Sequence, residues 1–240
     1  MKNLCVIVLA SLSVAYAGYV DAAPKKKRTR SANRIGAYAG AQVGYTKFSA
    51  DQAAADQLEL EDTLENAGVA SQNITSGSVE DTDLGYQAMF GYRFHRYFAA
   101  ELGLAQFGKQ ETPASGDVDF DDGRGFVPTT VKYSFSVGGP MVSAIGILPI
   151  HGKVELFARL GYLLGSAQRK FSASIDGRSA GSGSFKGDSQ KPLYGLGFAW
   201  HINQVYSIRG EYQQLDEIGQ PNRTGQQDLK VMGLGLIIRF

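Results

Sequence analysis

Cysteine is almost absent from this 240-residue chain: Cys5 is the only one, and it lies in the first apolar run. Once that run is removed, the chain can form no disulfide, offers no thiolate nucleophile and has no cysteine metal site. Long apolar runs are also lacking. Beyond Arg34 no stretch reaches the roughly 18 consecutive apolar residues of a membrane helix, so any membrane crossing must be made by strands. No sign of charge predominates, since 24 Lys plus Arg stand against 23 Asp plus Glu. That balance excludes a chain that as a whole seeks nucleic acid through a positive field.

The first residues that are present form an address. Lys2 supplies a positive n-region, Leu4 to Val14 an apolar h-region, and Ala15-Tyr16-Ala17 an A-x-A cleavage site before Gly18, the pattern of a secretory signal peptide. The chain therefore divides into a signal peptide over 1–17, a basic arm over 18–34 and one domain over 35–240. In isolation the run Pro24-Lys25-Lys26-Lys27-Arg28-Thr29-Arg30 imitates a nucleic-acid tail. Behind an export signal it reads as a solvated periplasmic linker resting on anionic headgroups or cell wall.

From Ile35 onward the residues alternate with a period of two. Leu84, Tyr86, Ala88, Phe90, Tyr92 and Phe94 fall on one side of a predicted strand, and Gly85, Gln87, Met89, Gly91 and Arg93 on the other. An apolar, aromatic exterior and a small or polar interior over about 10 residues is what a membrane β-barrel strand requires. The same pattern returns at 36–48, 98–104, 154–162, 194–202, 206–212 and 232–240. An eighth strand falls within 129–148, where Gly138-Gly139-Pro140 predicts a bulge. The fold class expected is all-β: an eight-stranded antiparallel up-and-down transmembrane barrel. A soluble barrel of the lipocalin kind would hide its apolar rows and expose its charges, the reverse of this pattern.

Connection lengths predict orientation. His95-Arg96-Tyr97, Pro149 to Gly152 and Asn203-Gln204 are short, and Ser49–Asp83, Gly108–Pro128, Ser166–Lys191 and Gln214–Asp228 are long. Short turns on the periplasmic side and long extracellular loops match an outer-membrane barrel with periplasmic termini. The first long segment carries nine acidic residues and no Lys or Arg, with a short helix expected around Leu58-Glu59-Leu60-Glu61. It reads as a solvated acidic surface, since no Asp-x-Asp-x-Asp-Gly calcium loop is found there.

Several phrases carry a family resemblance: Gly91-Tyr92-Arg93-Phe94, Glu101-Leu102-Gly103, Phe157-Ala158-Arg159-Leu160-Gly161-Tyr162, Tyr194-Gly195-Leu196-Gly197, Ile208-Arg209-Gly210-Glu211-Tyr212 and the terminal Arg239-Phe240. In order and spacing they resemble the outer-membrane β-barrel family that includes the OmpA transmembrane domain and OmpX, across roughly Gly36 to Phe240. The resemblance implies that Leu234, Leu236, Ile238 and Phe240 are read by the barrel-assembly machinery. It also implies the outer membrane of a Gram-negative bacterium as location. No peptidoglycan-binding domain is expected after Phe240.

Inside such a barrel fall Arg93, Glu101, Glu155, Arg159, Arg209, Glu211 and Arg239, four positive against three negative. Buried charges persist when paired and hydrogen-bonded, and eight strands enclose a lumen just wide enough for side chains to fill. These residues are expected to form a salt-bridged plug, with Arg93, Glu101, Arg159, Arg209 and Glu211 in one network. Arg169 and Lys170, beyond the outer row ending at Leu164, are candidates for lipopolysaccharide phosphate contact. His95, His151 and His201 fall at or near the short turns, and none shares a recognisable motif with a serine, which argues against a hydrolase at the outer leaflet. They are too dispersed in sequence to suggest a metal site, leaving open that strand proximity brings His151 or His201 near a carboxylate. The function expected is a non-enzymatic structural or surface-interaction barrel, adhesin-like, whose extracellular loops contact ligands; the alternative is a narrow porin-like channel. No cofactor or metal is expected. The partners expected are outer-membrane lipid and lipopolysaccharide, the barrel-assembly machinery and a host-surface ligand, with no nucleic acid.

Overall fold

The structure is a computed structural model, and it describes residues 34–49, 58–59, 61–62, 75–76, 82–119, 126–219 and 226–240. The signal peptide and all of the basic arm except Arg34 lie outside the described residues. Nine strands follow in chain order: β1 (Gly36–Phe48), β2 (Thr75–Ser76), β3 (Thr82–His95), β4 (Phe98–Asp119), β5 (Phe126–His151), β6 (Val154–Ile175), β7 (Arg178–His201), β8 (Tyr206–Ile218) and β9 (Gln227–Arg239). All strands except the two-residue β2 pair with both neighbours, each time antiparallel, and β1 pairs with β9 to close the ring. Closure leaves the ring without an unpaired edge, which is the condition for a sheet to cross a membrane.

The period-two alternation sets which residues face the lumen. On β3, Gly85, Gln87, Met89, Gly91 and Arg93 are buried while Tyr86, Phe90, Tyr92 and Phe94 are exposed. The outward rows of the other strands expose Val43, Leu102, Leu160, Leu196 and Leu234 among others. So much apolar surface turned outward is explained by lipid as the solvent. Aromatics flank the band on both sides: Phe94, Phe98, Trp200, Tyr206 and Phe240 near the short turns, and Tyr45, Tyr86, Tyr162, Tyr194 and Tyr212 towards the other end. These girdles match the two membrane interfaces.

Three sequence expectations about the connections need correction. The expected bulge in β5 lies instead on its partner. Register shifts between Gln106 and Lys109 of β4, which face Gly138 and Ser136 of β5, and Gly108 takes φ 78° there. Glycine accepts that left-handed backbone without a Cβ penalty, while β5 keeps its register against β6 from Gly138 to Met141, although Gly139 and Pro140 have no Cα partner there and Gly139 takes φ 152°. The second correction concerns the segments read as long loops. Gly108–Pro128 is mostly strand, and Ser166–Lys191 is a continuous hairpin that turns at Asp176-Gly177. Asp176 and Gly177 have φ of 50° and 71°, the positive values of a tight hairpin turn whose twist suits the flanking strands. Gln214–Asp228 likewise keeps its strands to Ile218 and from Gln227. Third, Pro149 to His151 belong to β5, so that turn narrows to Gly152-Lys153.

The strands are therefore unequal. β4, β5, β6 and β7 have 22, 26, 22 and 24 residues, against 13 or 14 in β1, β3, β8 and β9. The extra length all lies at the end away from the short turns, where the four strands continue as a wall. β2 adds to its β4 edge, with Thr75 opposite Ser115. On the other edge, β7 pairs with β8 only from Leu193 to His201.

Candidate functional site

The lumen is filled in layers. At its centre, Glu101 of β4 and Glu211 of β8 face Arg159 of β6 and Arg209 of β8, so three strands supply the four charges. Arg159 donates to Glu211 through Nε at 2.5 Å and to Glu101 through Nη2 at 2.7 Å, and its Nη1 donates to Ser143 Oγ at 3.0 Å. Arg209 Nη1 donates to Glu101 at 2.6 Å, and its Nη2 stands 3.3 Å from Glu211. The guanidinium of Arg209 also lies over the Phe157 ring, 4.0 Å from the centroid. Tyr38 hydroxyl gives Glu101 a further hydrogen bond of 2.6 Å. Its ring crosses the site of Gly91, where a Cβ would stand 2.3 Å from it. Two acids and two bases thus neutralise one another in a place where an unpaired charge would be costly.

Arg93 and Glu155 form a second cluster nearer the short turns. Arg93 Nη1 reaches Glu155 at 2.9 Å, and other Arg93 nitrogens donate to the carbonyls of His95 and Arg96. Arg34, the last residue of the predicted basic arm, adds a 3.4 Å contact to Glu155. His201 Nε2 stands 3.0 Å from Glu155, and its Nδ1 lies 2.7 Å from Ser207 Oγ and 3.1 Å from Arg239 Nη2. The single network expected from sequence is therefore two: Arg93 and Glu155 belong to the lower cluster, not to the central one. Arg239 enters the lower cluster through His201, and no carboxylate pairs with it among the described residues. A cavity of about 50 Å³ lies between the two clusters, with Tyr38, Arg93, Glu101, Arg209 and Arg239 among its walls.

Ser207, His201 and Glu155 thus do meet, although sequence placed no histidine beside a serine. They resemble a hydrolytic triad only in residue type. Ser207 is wholly buried in the lumen, Glu155 is shared with two arginines, and Arg239 occupies the same histidine nitrogen as the serine. Nothing in that arrangement leaves a base free to act on a substrate.

Above the central charges, Gln87 and Gln213 exchange two side-chain hydrogen bonds of 2.9 and 3.1 Å across the lumen. Above these lies a layer that sequence reasoning missed. Phe48, Phe107, Phe135, Leu163, Leu193, Leu215, Ile218 and Leu229 pack into one buried apolar cluster. Phe107, Leu163, Leu193, Leu215, Ile218 and Leu229 have no exposed surface at all. Each comes from the inward row at the point where its strand leaves the apolar band. The signal available in the sequence was a lumen-facing row that turns from polar to apolar, as in Arg159, Gly161, Leu163 and Glu211, Gln213, Leu215.

The wall has two faces. On the inward face Arg169 Nη2 pairs with Glu59 at 2.9 Å, its guanidinium lies 4.0 Å from the Tyr133 ring centroid, and Tyr133 hydroxyl donates to Glu59 at 3.0 Å. Glu59 sits on the expected helix, of which Leu58, Glu59, Glu61 and Asp62 are described as helical. Lys170, one residue on, points to the opposite face, as successive residues of a strand must. Arg169 and Lys170 therefore do not form the joint contact expected of them. Leu234, Leu236 and Ile238 lie on the outward row of β9, which Phe240 follows just past the strand's end, with Leu236 opposite Ala41 and Ile208. Among the described residues, no group of His, Cys, Asp and Glu could hold a metal ion, and no helix is long and apolar enough to cross a membrane.

A closed ring of eight antiparallel strands, with an apolar exterior and a filled lumen, defines an outer-membrane β-barrel. More narrowly, the family model for the OmpA-like transmembrane domain matches residues 32–240, and the chain belongs to that family. Relatives include outer membrane protein A of Yersinia pseudotuberculosis serotype I (strain IP32953), 25% identical over 236 residues covering 98% of this chain and 54% of that protein. Outer membrane protein A of Serratia marcescens is 25% identical over 234 residues, 96% of this chain and 55% of that one. The chain spans about half the length of the curated relatives it matches. Solved structures similar to it include Ail, the attachment invasion locus protein of Yersinia pestis, in complex with the heparin analogue sucrose octasulfate, with TM-score 0.38, 18% identity, and coverage of 86% of this chain and 100% of that one. OprG of Pseudomonas aeruginosa has TM-score 0.38, 16% identity, and coverage of 86% and 97%.

Proposed function

We propose that this outer-membrane barrel is a sealed, non-conducting anchor that presents its four-stranded wall as a contact surface, including to host-surface ligands. The observation that carries this reading is double closure. A charge-paired layer and an apolar layer lie in series along the same lumen. An ion crossing it would have to displace ion pairs with side chains 0 to 6% exposed and then pass a dry aromatic and aliphatic packing. Planar-bilayer recording of the purified barrel is the test, and no steady current is expected. A large, charge-selective conductance would sink the reading and favour the narrow channel.

The outward end of β9 has a role of its own in this proposal, as the segment by which the barrel-assembly machinery receives the chain. Phe240 stands 75% exposed at its tip. Replacing it with a polar residue is expected to lower the heat-modifiable barrel in the outer membrane without affecting export; unchanged barrel levels would count against the assignment.

A further inference from the structure

The outward face of the wall continues the lipid-facing rows of the barrel. On β6 that row passes Leu160, Tyr162 and Leu164 and then Ser166, Gln168 and Lys170; on β7 it passes Leu196 and Tyr194 and reaches Lys186. The chemistry of the row changes from apolar to cationic without changing face. Lys132 has Ser172 as its Cα partner, Lys170 has Ser134 and Ser184, and Lys186 has Gln168. The three lysines therefore occupy successive strands two residues out of step, which makes them diagonal neighbours about 7–8 Å apart. Between Lys132 and Lys170 lies a shallow hollow of about 450 Å³, lined also by Glu111, Ser134, Ser172, Ser182 and Ser184, and Lys186 is not part of its wall.

The carboxylates near this ridge neutralise it only in part, because Glu111 is ion-paired with Lys132 while Lys170 and Lys186 keep their charge. Glu111 is held by Lys109 at 2.6 Å and by Lys132, and Asp188 lies two residues from Lys186 on the same face. Among the described residues no carboxylate pairs with Lys170 or Lys186. On these outward rows Lys109, Lys132, Lys170 and Lys186 stand against Glu111, Asp117 and Asp188, four charges against three, which leaves the described face slightly positive. Side chains this close and alike in sign repel one another unless an anion stands between them.

Height selects the anion. From residue 164 to residue 170 the strand rises roughly 20 Å at about 3.3 Å per residue, which is roughly 15 Å of height at a tilt of about 35–45°. A phospholipid headgroup layer adds only about 5–8 Å beyond the hydrocarbon on each side. The lysines stand above that layer, beside the saccharide of neighbouring lipopolysaccharide molecules.

We infer that Lys132, Lys170 and Lys186 form a lateral docking site for the phosphorylated core saccharide of lipopolysaccharide, with the serine hydroxyls of the hollow as hydrogen-bond donors to phosphate oxygens. Arg169, on the other face and bound to Glu59, takes no part. The inference rests on the reading of the wall as a contact surface, and its test is independent of whether the lumen conducts.

The test compares binding of core-bearing lipopolysaccharide, of lipid A lacking core sugars and of phosphatidylglycerol vesicles by the refolded wild-type chain, by K132Q/K170Q/K186Q and by R169Q. Each lysine near an anionic surface is worth about fivefold in affinity, so the triple variant should bind core-bearing lipopolysaccharide about a hundredfold more weakly at low salt. R169Q should bind as wild type, and K132R/K170R/K186R should keep most of the binding. Lipid A and phosphatidylglycerol, whose phosphates lie at the headgroup level below the lysines, should lose much less affinity in the triple variant than core-bearing lipopolysaccharide does. Retained heat-modifiability of the triple variant shows that the barrel itself is intact. The inference is overturned if the folded triple variant binds core-bearing lipopolysaccharide as wild type does. It is also overturned if the same loss appears with lipid A alone, or if only a soluble sulfated polysaccharide shows the lysine dependence.

Discussion

The two layers that close the lumen do so by opposite chemistry. The central layer is built from Glu101, Arg159, Arg209 and Glu211, whose burial is tolerable only because each charge has partners at 2.5 to 3.3 Å. The layer above it, from Phe48 and Phe107 to Leu215 and Leu229, needs no partners and gains from excluding water. The first specifies geometry through directional bonds; the second resists passage through packing density. In the proposed anchor, closure of the lumen rests on both layers and not on a single interaction.

Removing one charge should give the largest effect. Glu211→Ala leaves Arg159 and Arg209 sharing Glu101 as their one carboxylate, an uncompensated buried cation, and breaking a buried pair costs about 3–5 kcal/mol. The double variant Arg159→Met, Glu211→Leu removes one charge of each sign and leaves Glu101 with Arg209. It should recover much of the loss in thermal or urea unfolding. Arg159, rather than Arg209, is the partner to change, because it holds Glu211 through two nitrogens at 2.5 and 3.2 Å. A double variant no more stable than Glu211→Ala would mean that the pairing is not what supports the layer.

Cutting the apolar layer should cost somewhat less. Leu163→Ala removes a wholly buried side chain, for which about 2–5 kcal/mol is the usual range. The sharper readout is current. Either single substitution leaves one layer intact and should keep the bilayer silent, while Glu211→Ala combined with Leu163→Ala should leak. Conductance in the Leu163→Ala barrel alone would show that the charge layer does not seal by itself.

How much of this could be read from the residues follows the same division. Wherever lipid and lumen differ in polarity, the alternation gave the face correctly, as in Tyr86 and Gln87 or Leu160 and Arg159. The wall was misread as loops because Ser, Gly and Thr fill both of its faces, as in Ser182-Gly183-Ser184, so that no period-two contrast remains. The Asp176-Gly177 pair was a legible hairpin signal within that stretch. The Gly138-Gly139-Pro140 run does distort β5, since Gly139 takes a positive φ, but the extra residue of the bulge lies on the partner strand at Gly108. The Glu155, His201 and Ser207 meeting depends on register across three strands, which one sequence does not state.

The smallest effect belongs to the wall, where the tie between Arg169 and Glu59 offers a contrast with the buried charges. Burial pushes the Glu59 carboxyl up, but hydrogen bonds from Arg169 and Tyr133 and the guanidinium charge outweigh it and hold Glu59 below the usual carboxylate range. A carboxyl lowered on folding contributes its stability above its unfolded value and loses it as pH falls through the folded one. The helix that carries Glu59 should therefore stay docked at neutral pH and come away only in acid. Because the Glu59 side chain is 54% exposed, the tie is screened by water and worth at most about 1 kcal/mol. Glu59→Gln keeps a hydrogen-bond acceptor but removes the charge, so it should flatten that acid dependence while barely moving barrel unfolding. Protease cleavage around residues 58–62 as a function of pH would measure it. Cleavage in the wild type that does not rise as pH falls would show that the carboxylate does not hold the segment to the wall.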